Sequence, residues 1–385
     1  MSAAGDKPPV PQGQPSTSGQ GVYRRVEESR DRSLVIGCSF HPMSLGSLPR
    51  IAVVALCLLA WGGDAFAARK SRRKAPARTP VVVLTPPEAS SYDLKVGEAA
   101  RAAIRDRSGV AIVAMDPWTG RVLTIGNPQS GLFTAYQPCS VFKLVVAVAG
   151  LAEGVITPET RYTCNHGCWL ASGHGPIDLG RALAVSCNPF FEWVGERLGF
   201  DAVRSYSQKL GLGSRTGINL AGETAGEIPS VIPRGGLGHM SSHAQGVKTS
   251  AMQLAVLMSA LVNGGVINEP QFVSPLAVRA KERSRLDAPA NLSMLAPGLF
   301  SSVTEGSAQR AFDPGFVASG KTGSCSGVGW FASSLGYPRS ELVVVVLVRG
   351  GNGSAASGVA GEFYRSLLGV SPQSGNLLAT APGAQ

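Results

Sequence analysis

Three short patterns follow one another along the chain and combine side chains that can carry out acyl transfer. They are Ser140-Val141-Phe142-Lys143, Ser186-Cys187-Asn188 and Lys321-Thr322-Gly323, which Ser324 follows. Each pattern is common by itself, but their order and contexts make the set specific. A serine hydroxyl is a poor nucleophile near neutral pH, so it needs a base within hydrogen-bond reach and donors for the oxyanion. The set therefore predicts a serine nucleophile with a lysine as its base.

The first pattern opens an apolar run that predicts a helix. Pro138 precedes the run, which has no breaker up to Ala149. Positions i and i+3 share a helix face, so Lys143 can reach back towards the Ser140 oxygen. We expect Ser140 in the first turn, where free N–H groups favour negative charge, and apolar neighbours that lower the pKa of Lys143 by desolvation. Taken alone, the pattern fits a surface helix with an incidental serine and lysine at least as well.

The second pattern fits a loop between two helices. It follows an amphipathic stretch that begins at Asp178, and Pro189 comes directly after it. A hydroxyl at Ser186 can relay the proton between the base and the leaving amine, while the Asn188 amide can hold a substrate carbonyl. Without the other two patterns, these residues would indicate only a helix cap.

The third pattern overlaps a phosphate-loop motif. Residues 315–322 match G-x-x-x-x-G-K-[ST], which requires a helix directly afterwards so that its N-terminus meets the phosphates. Hairpin-like sequence follows instead, with an apolar strand over 341–348 that no magnesium-binding aspartate ends. We therefore expect Lys321 and Thr322 on a strand at the edge of a sheet, binding a carboxylate, with the Ser324 N–H donating to the oxyanion. A P-loop nucleotide hydrolase is a remote alternative.

From about residue 111 to 369 the chain resembles the transpeptidase domain of penicillin-binding proteins, a serine acyl-enzyme family shared with β-lactamases. Residues 114–123 are similar to the first hairpin of that domain, and 245–265 to the helix beneath its site. The resemblance implies a substrate that ends in D-Ala-D-Ala, binding of β-lactam antibiotics, and no cofactor or catalytic metal. It implies these roles: Ser140 as nucleophile, Lys143 as base, Ser186 as proton shuttle, and Asn188, Lys321, Thr322, Gly323 and Ser324 as substrate-binding residues.

The chain departs from the family pattern in several places. Cys139 stands where a glycine usually precedes the nucleophile, and the segment from Gly126 to Ser140 is shorter than in large members. No glycosyltransferase domain or long dimerisation module is evident, so we expect a minimal catalytic unit. Such units include D,D-transpeptidases, D,D-carboxypeptidases, serine β-lactamases and non-catalytic penicillin sensors, so fold alone does not fix the reaction.

Two observations favour a peptidoglycan enzyme that deacylates slowly. The E-x-x-L-N loop that supplies the deacylating glutamate of class A β-lactamases is absent, and the nearest acidic residues are Glu223 and Glu227 in a Gly-rich stretch. Class D enzymes and related sensors usually carry an aliphatic residue where Asn188 stands. We therefore expect a D,D-transpeptidase or D,D-carboxypeptidase of cell-wall synthesis, with β-lactamase and sensor as alternatives.

The predicted fold is of the α+β type, with an antiparallel sheet packed against terminal helices and an inserted all-helical subdomain. Helices are expected over 92–107, 140–153 and 358–368, a hairpin over 110–126, and mostly helices up to 263. The predicted organisation is as follows: 1–42 a misplaced start or disordered segment, 43–67 a signal peptide or anchor, 68–90 a basic Pro/Ala-rich linker, 91–370 the catalytic domain and 371–385 a disordered tail.

The N-terminal region predicts export from the cytoplasm. Residues 51–61 form an apolar stretch too short to span a bilayer, and Ala65-Phe66-Ala67 provides a cleavage pattern. An uncleaved anchor is the alternative, since basic residues follow directly and ordinarily favour the cytoplasmic side. The net charge of +10 is not spread evenly, because six basic residues fall within 69–78. This favours association with anionic lipid or wall polymer in the periplasm or at the outer face of the inner membrane, and not nucleic-acid binding.

The cysteines offer two possible crosslinks in an oxidising compartment. Cys164 and Cys168, with His174 nearby, have a spacing compatible with zinc, but the pattern favours a disulfide that closes this loop over a zinc site or free thiols. Cys139 and Cys325 flank the two predicted oxyanion donors, which must lie close together. They can therefore approach the separation of about 5.5 Å between Cα atoms that a disulfide requires. Since their Cβ atoms can also point apart, two unpaired thiols are the favoured interpretation and the disulfide is the alternative.

Overall fold

The computed structural model describes residues 81–371, except 288, 337 and 338 and the side chains of 289 and 290. Ten strands lie in these residues: β1 Val83–Leu84, β2 Val110–Met115, β3 Val122–Gly126, β4 Tyr162–Cys164, β5 Gly175–Ile177, β6 Val266–Asn268, β7 Glu282–Arg285, β8 Ala318–Cys325, β9 Val328–Leu335 and β10 Leu342–Arg349. Six of them form one antiparallel sheet in the order β1-β3-β2-β10-β9-β8. The pairs β4–β5 and β6–β7 are separate two-stranded sheets.

The same residues contain the helices α1 Ser91–Ile104, α2 Pro128–Gly131, α3 Lys143–Ala152, α4 Leu179–Ala184, α5 Asn188–Leu198, α6 Phe200–Lys209, α7 Gly236–His243, α8 Ala251–Val262, α9 Ala296–Thr304 and α10 Gly353–Leu368. Short 3₁₀ helices cover Cys139–Phe142, Pro289–Leu295 and Gln309–Ala311. No helix in this part of the chain is long and apolar enough to cross a bilayer.

The central strand β10 explains why the sheet has a core on both faces. Its valine- and leucine-rich sequence is fully buried from Leu342 to Leu347, and successive side chains point to opposite faces. Val344 packs in a cluster with residues of α1 and α10, whereas Val345 packs with residues of α3 and α8. The terminal helices thus cover one face and the inserted helices the other, which confirms the predicted α+β architecture.

The structure differs from the sequence prediction in three places. The inserted region is mostly helical but also contains the β4–β5 hairpin. The last helix begins at Gly353 and not at 358, because Asn352 caps it by accepting a hydrogen bond from the Ala355 N–H. The segment 68–90, predicted as a linker, includes β1, which pairs with β3 in the sheet. The predicted start, signal peptide, basic cluster and almost all of the tail lie outside the described residues.

Candidate active site

The predicted nucleophile lies in a 3₁₀ turn that precedes its helix. Ser140 belongs to the turn Cys139–Phe142, and the α-helix begins only at Lys143, three residues later than predicted. The turn is tighter because Cys139 adopts a left-handed conformation with φ 55° and the Val141 N–H donates to the Pro138 oxygen at 3.2 Å. Val141 and Phe142 are buried and anchor the turn, while Ser140 is partly exposed.

Lys143 connects the first pattern with the second. Its amine is fully buried and donates to the Ser186 carbonyl at 2.8 Å, to Ser186 Oγ at 3.1 Å and to Asn188 Oδ1 at 2.6 Å. These hydrogen bonds direct the Lys143 amine to the second pattern and not to Ser140, towards which the sequence predicted that it could reach. Burial lowers the pKa of Lys143 to about 7. The negative charges of Cys187, Cys168 and Glu192 in their ionised forms raise this pKa, but by less than burial lowers it. A neutral amine is thus accessible near neutral pH.

The second pattern forms the predicted turn between two helices. The helix α4 ends at Ala184 and α5 begins at Asn188. Ser186 is left-handed with φ 58°, and the Cys187 N–H donates to the Ala182 oxygen at 3.0 Å. This reversal directs Ser186 and Asn188 to the same lysine amine.

A chain of polar side chains behind Asn188 was not predicted. Its Nδ2 lies 3.3 Å from His243 Nε2, His243 Nδ1 lies 2.6 Å from Ser242 Oγ, and Ser242 donates to Glu192 Oε1 at 2.9 Å. Since Asn188 Oδ1 accepts from Lys143, its Nδ2 is the donor, so His243 accepts through Nε2 and carries its proton on Nδ1. Burial lowers the pKa of His243, and Lys143 and His239 add to the effect, which favours this neutral form.

The third pattern lies on β8, the edge strand of the main sheet, as predicted. The Lys321 amine is buried and donates to the Thr322 carbonyl at 3.0 Å, and burial, followed by the charge of Lys143, lowers its pKa well below the usual range. The Thr322 hydroxyl lies 2.6 Å from Ser307 Oγ. The strand β9 and not a helix follows β8, so the P-loop alternative is wrong.

A disulfide and a glycine hold β8 against the nucleophile turn. Cys139 and Cys325 are bonded, with Cα atoms 5.7 Å apart, so the disulfide alternative is correct and the favoured interpretation of two unpaired thiols is wrong. A Cβ added to Gly323 would lie only 2.6 Å from the Pro138 oxygen, so the close approach requires glycine. Ser324 Oγ accepts from the Gly353 N–H at 2.8 Å and fixes the end of the strand.

The three patterns meet in a cleft of about 360 Å³. It is lined by Ser140, Trp169, Val185, Ser186, Asn188, His243, Ser307, Thr322 and Ser324. Lys143 and Lys321 are buried beside it. Trp169, His243 and Ser307 were missed by the sequence analysis, because each comes from a segment remote from the three patterns and carries no local motif.

The predicted disulfide between Cys164 and Cys168 is wrong. Both are free thiols, as is Cys187. Their sulfur atoms and a ring nitrogen of His174 all lie within 4.8 Å of one another. The sequence analysis missed Cys187 as a member of this cluster because it belongs to the second pattern, which follows the β4–β5 hairpin and α4 in the sequence.

Comparison with known proteins identifies the family. Residues 110–369 match the family model described as the penicillin binding protein transpeptidase domain. The chain is 28% identical over 325 residues to stage V sporulation protein D of Bacillus subtilis, which covers 69% of this chain and 50% of that protein. It is 26% identical over 283 residues to the peptidoglycan D,D-transpeptidase MrdA of Haemophilus influenzae, covering 58% of this chain and 42% of that protein. The chain thus spans about half the length of these relatives or less.

Solved structures agree on the fold. The apo transpeptidase domain of Burkholderia pseudomallei penicillin-binding protein 3 superimposes with a TM-score of 0.64 at 20% identity, covering 74% of this chain and 94% of that one. Pseudomonas aeruginosa PBP2 in complex with WCK 5153 gives a TM-score of 0.62 at 23% identity, covering 71% of this chain and 76% of that one. This chain belongs to the penicillin-binding protein transpeptidase domain family.

Proposed function

We propose that the chain is a serine acyl-enzyme that acts on D-Ala-D-Ala peptides of peptidoglycan, as a D,D-transpeptidase or D,D-carboxypeptidase. The observation that carries this proposal is the convergence of all three patterns on one cleft, with a buried lysine whose amine contacts two of the cleft-lining residues. Family membership and the similarity to the peptidoglycan D,D-transpeptidase MrdA support the same reaction.

The proposed acylation uses each group in turn. Ser140 Oγ attacks the carbonyl carbon of the penultimate D-Ala, and its proton passes to the neutral amine of Lys143. Backbone N–H groups of Ser140 and Ser324 stabilise the tetrahedral oxyanion. Ser186 then delivers the proton to the amine of the leaving D-Ala, and the acyl-enzyme forms.

The remaining cleft residues bind the substrate in this proposal. The Lys321-Thr322-Gly323 segment of β8 forms the site of the terminal carboxylate, with the Thr322 hydroxyl at the cleft wall and the Lys321 amine buried next to it, while Asn188 holds a carbonyl of the acyl donor. A β-lactam imitates this substrate and acylates Ser140 as its ring opens. Slow release of the β-lactam adduct is expected because the described residues that line the cleft include no carboxylate that could act as the deacylating glutamate of class A β-lactamases does.

Labelled penicillin tests the proposal. Intact mass should show one adduct on the wild type and none on Ser140→Ala, whereas Ser326→Ala, an exposed serine in the turn after β8, should label normally. Labelling that survives in Ser140→Ala would overturn the assignment. The adduct should persist for many minutes, and rapid turnover of the drug would instead establish the β-lactamase alternative. A D-Ala-D-Ala peptide with and without an amine acceptor then separates transpeptidase from carboxypeptidase.

We also propose that the chain works outside the cytoplasm, with 43–67 as its export signal. The apolar stretch and the cleavage pattern support this, as does family membership. Edman sequencing of the mature protein should begin at Ala68, and a retained N-terminus would favour the anchor. The basic segment 69–78 should bind vesicles that contain anionic lipid and release them as salt rises.

A further inference from the structure

Three cysteines and a histidine form a cluster at the turn 185–187 between α4 and α5, called here the catalytic turn, to which Cys187 belongs. The ligand atoms of Cys164, Cys168, His174 and Cys187 each lie within 4.8 Å of all the others. Cys164 and Cys187 are completely buried, and Cys164 Sγ lies 3.6 Å from His174 Nδ1. The other ring nitrogen of His174 is buried and has no hydrogen-bond partner among the described residues. The cluster is therefore a compact set of sulfur and nitrogen ligands, and it contains one buried ring nitrogen without a hydrogen-bond partner among the described residues.

The hairpin that carries three of these residues is built to hold them together. Cys164 pairs with Gly175 across β4 and β5, so the segment 165–174 folds back over Cys164. The fold is so tight at Gly173, which has φ 72°, that an added Cβ would lie 1.9 Å from the Cys164 oxygen. The Trp169 ring packs at 5.3 Å against the His174 ring. The ligands are thus preorganised by backbone pairing.

The donor set matches tetrahedral zinc. Cys164 and Cys168 have the C-x₃-C spacing of structural sites, and three sulfurs with one imidazole nitrogen form a complete Cys₃His sphere. Zinc bonds of about 2.3 Å to sulfur and about 2.0 Å to nitrogen require ligand atoms roughly 3.5–3.8 Å apart, so shifts of about 1 Å or less at each ligand close the site. A disulfide between any two of the cysteines would instead leave the third thiol and the histidine without a partner.

We propose that Cys164, Cys168, His174 and Cys187 bind one structural zinc ion that clamps the hairpin segment to the catalytic turn. Four protein ligands leave no open position, so the ion holds structure and does not activate water. Cys187 lies between Ser186 and Asn188, the two residues that contact Lys143. Zinc on Cys187 therefore fixes the backbone that presents both side chains. The same clamp positions Trp169, whose Nε1 donates to the Val185 oxygen at 2.9 Å at the wall of the cleft.

Metal analysis of the purified full chain tests the site without any assay of activity. Protein from zinc-supplemented cells should contain about one zinc per chain. Cys168→Ser and His174→Ala should lose it, whereas His166→Ala, an exposed histidine of the same segment outside the cluster, should keep it. Cobalt exchanged into the wild type should give tetrahedral d–d bands and thiolate charge-transfer bands. Absence of metal, equal metal in all variants, or a native Cys164–Cys168 disulfide in unreduced peptide maps would overturn the proposal.

The consequence for catalysis rests on the proposed function and is measured separately. Removing zinc with a chelator should slow penicillin acylation of the wild type about 10–100-fold, which is the loss typical when groups that orient a functional site are removed. Added zinc should restore the acylation rate. His166→Ala should respond as the wild type does. If zinc binds but its removal leaves acylation unchanged, the clamp on the catalytic turn is refuted. If zinc binds and no acylation occurs in any form, the proposed function fails while the metal site stands.

Discussion

Removal of the Cys139–Cys325 disulfide should destabilise the domain and slow acylation together. The bridge spans a sequence separation of 186 residues, so loop-closure entropy alone gives about 5 kcal/mol at 25 °C. Measured disulfides often deliver less, so we expect a loss of about 2–5 kcal/mol in the free energy of unfolding. For a domain of this size, that corresponds to a fall in Tm of roughly 4–10 °C.

The design uses Cys139→Ala, Cys325→Ala and the double variant, because alanine avoids burying a new hydroxyl. Cys139 is completely buried, so its truncation also costs about 1 kcal/mol in lost packing, whereas Cys325 is only partly buried. Either single substitution already removes the bridge. The double variant should therefore be little less stable than Cys139→Ala, which gives a large coupling energy between the two positions.

Chemical denaturation of unreduced and reduced protein measures the effect. Reductant should lower the stability of the wild type and leave the double variant unchanged. Acylation by labelled penicillin should fall about 10–100-fold in all bridge-free forms, since the bridge ties the nucleophile turn to β8. Strictly additive single substitutions, or both cysteines alkylatable in the folded, unreduced wild type, would refute the reasoning.

Three further changes test the same site. Acylation should rise with pH through about 7 and then level off, because the base must be neutral and burial lowers the pKa of Lys143 to about 7; a rise that continues to pH 10 would contradict a desolvated base. His243→Ala should slow acylation about 2–10-fold by removing the acceptor of Asn188, with an unchanged Tm as the control reading; an unchanged rate would exclude this positioning role. Gly323→Ala should cost about 1–3 kcal/mol in stability, measured by denaturant titration, whereas Gly180→Ala, with only ordinary contacts at its Cβ, should stay near the wild type; equal effects would refute the close approach.

The sheet and the order of the patterns follow from local sequence, and so the prediction succeeds there. A continuous apolar, valine-rich run and an adjacent hairpin signal are properties of neighbouring residues, which place Lys321 and Thr322 on an edge strand without tertiary information. The start of α3 was harder to place. A left-handed Cys139 turns the first helical residues into a 3₁₀ turn, and non-glycine residues rarely signal that conformation.

The contacts that connect the patterns could not be predicted, because they depend on residues far apart in sequence. His243 lies 55 residues after Asn188 and belongs to a helix whose own sequence shows no catalytic motif. Cys187 was interpreted only as the middle residue of the second pattern, so the cysteine cluster seemed to have three members and a disulfide was favoured. Sequence spacing within one loop could not reveal a fourth ligand from another element.

The two sulfur groups lie at positions where the acylation geometry has to be held. The disulfide joins the residue before Ser140 to the residue after Ser324, and the cluster includes the residue between Ser186 and Asn188. Each of the three patterns thus has a cysteine within it or within two residues of one of its ends. Acyl transfer tolerates little displacement of the nucleophile or of the oxyanion donors. The disulfide restricts the relative motion of the nucleophile turn and β8, and a zinc ion bound as proposed would do the same for the segment from Ser186 to Asn188 and the β4–β5 hairpin.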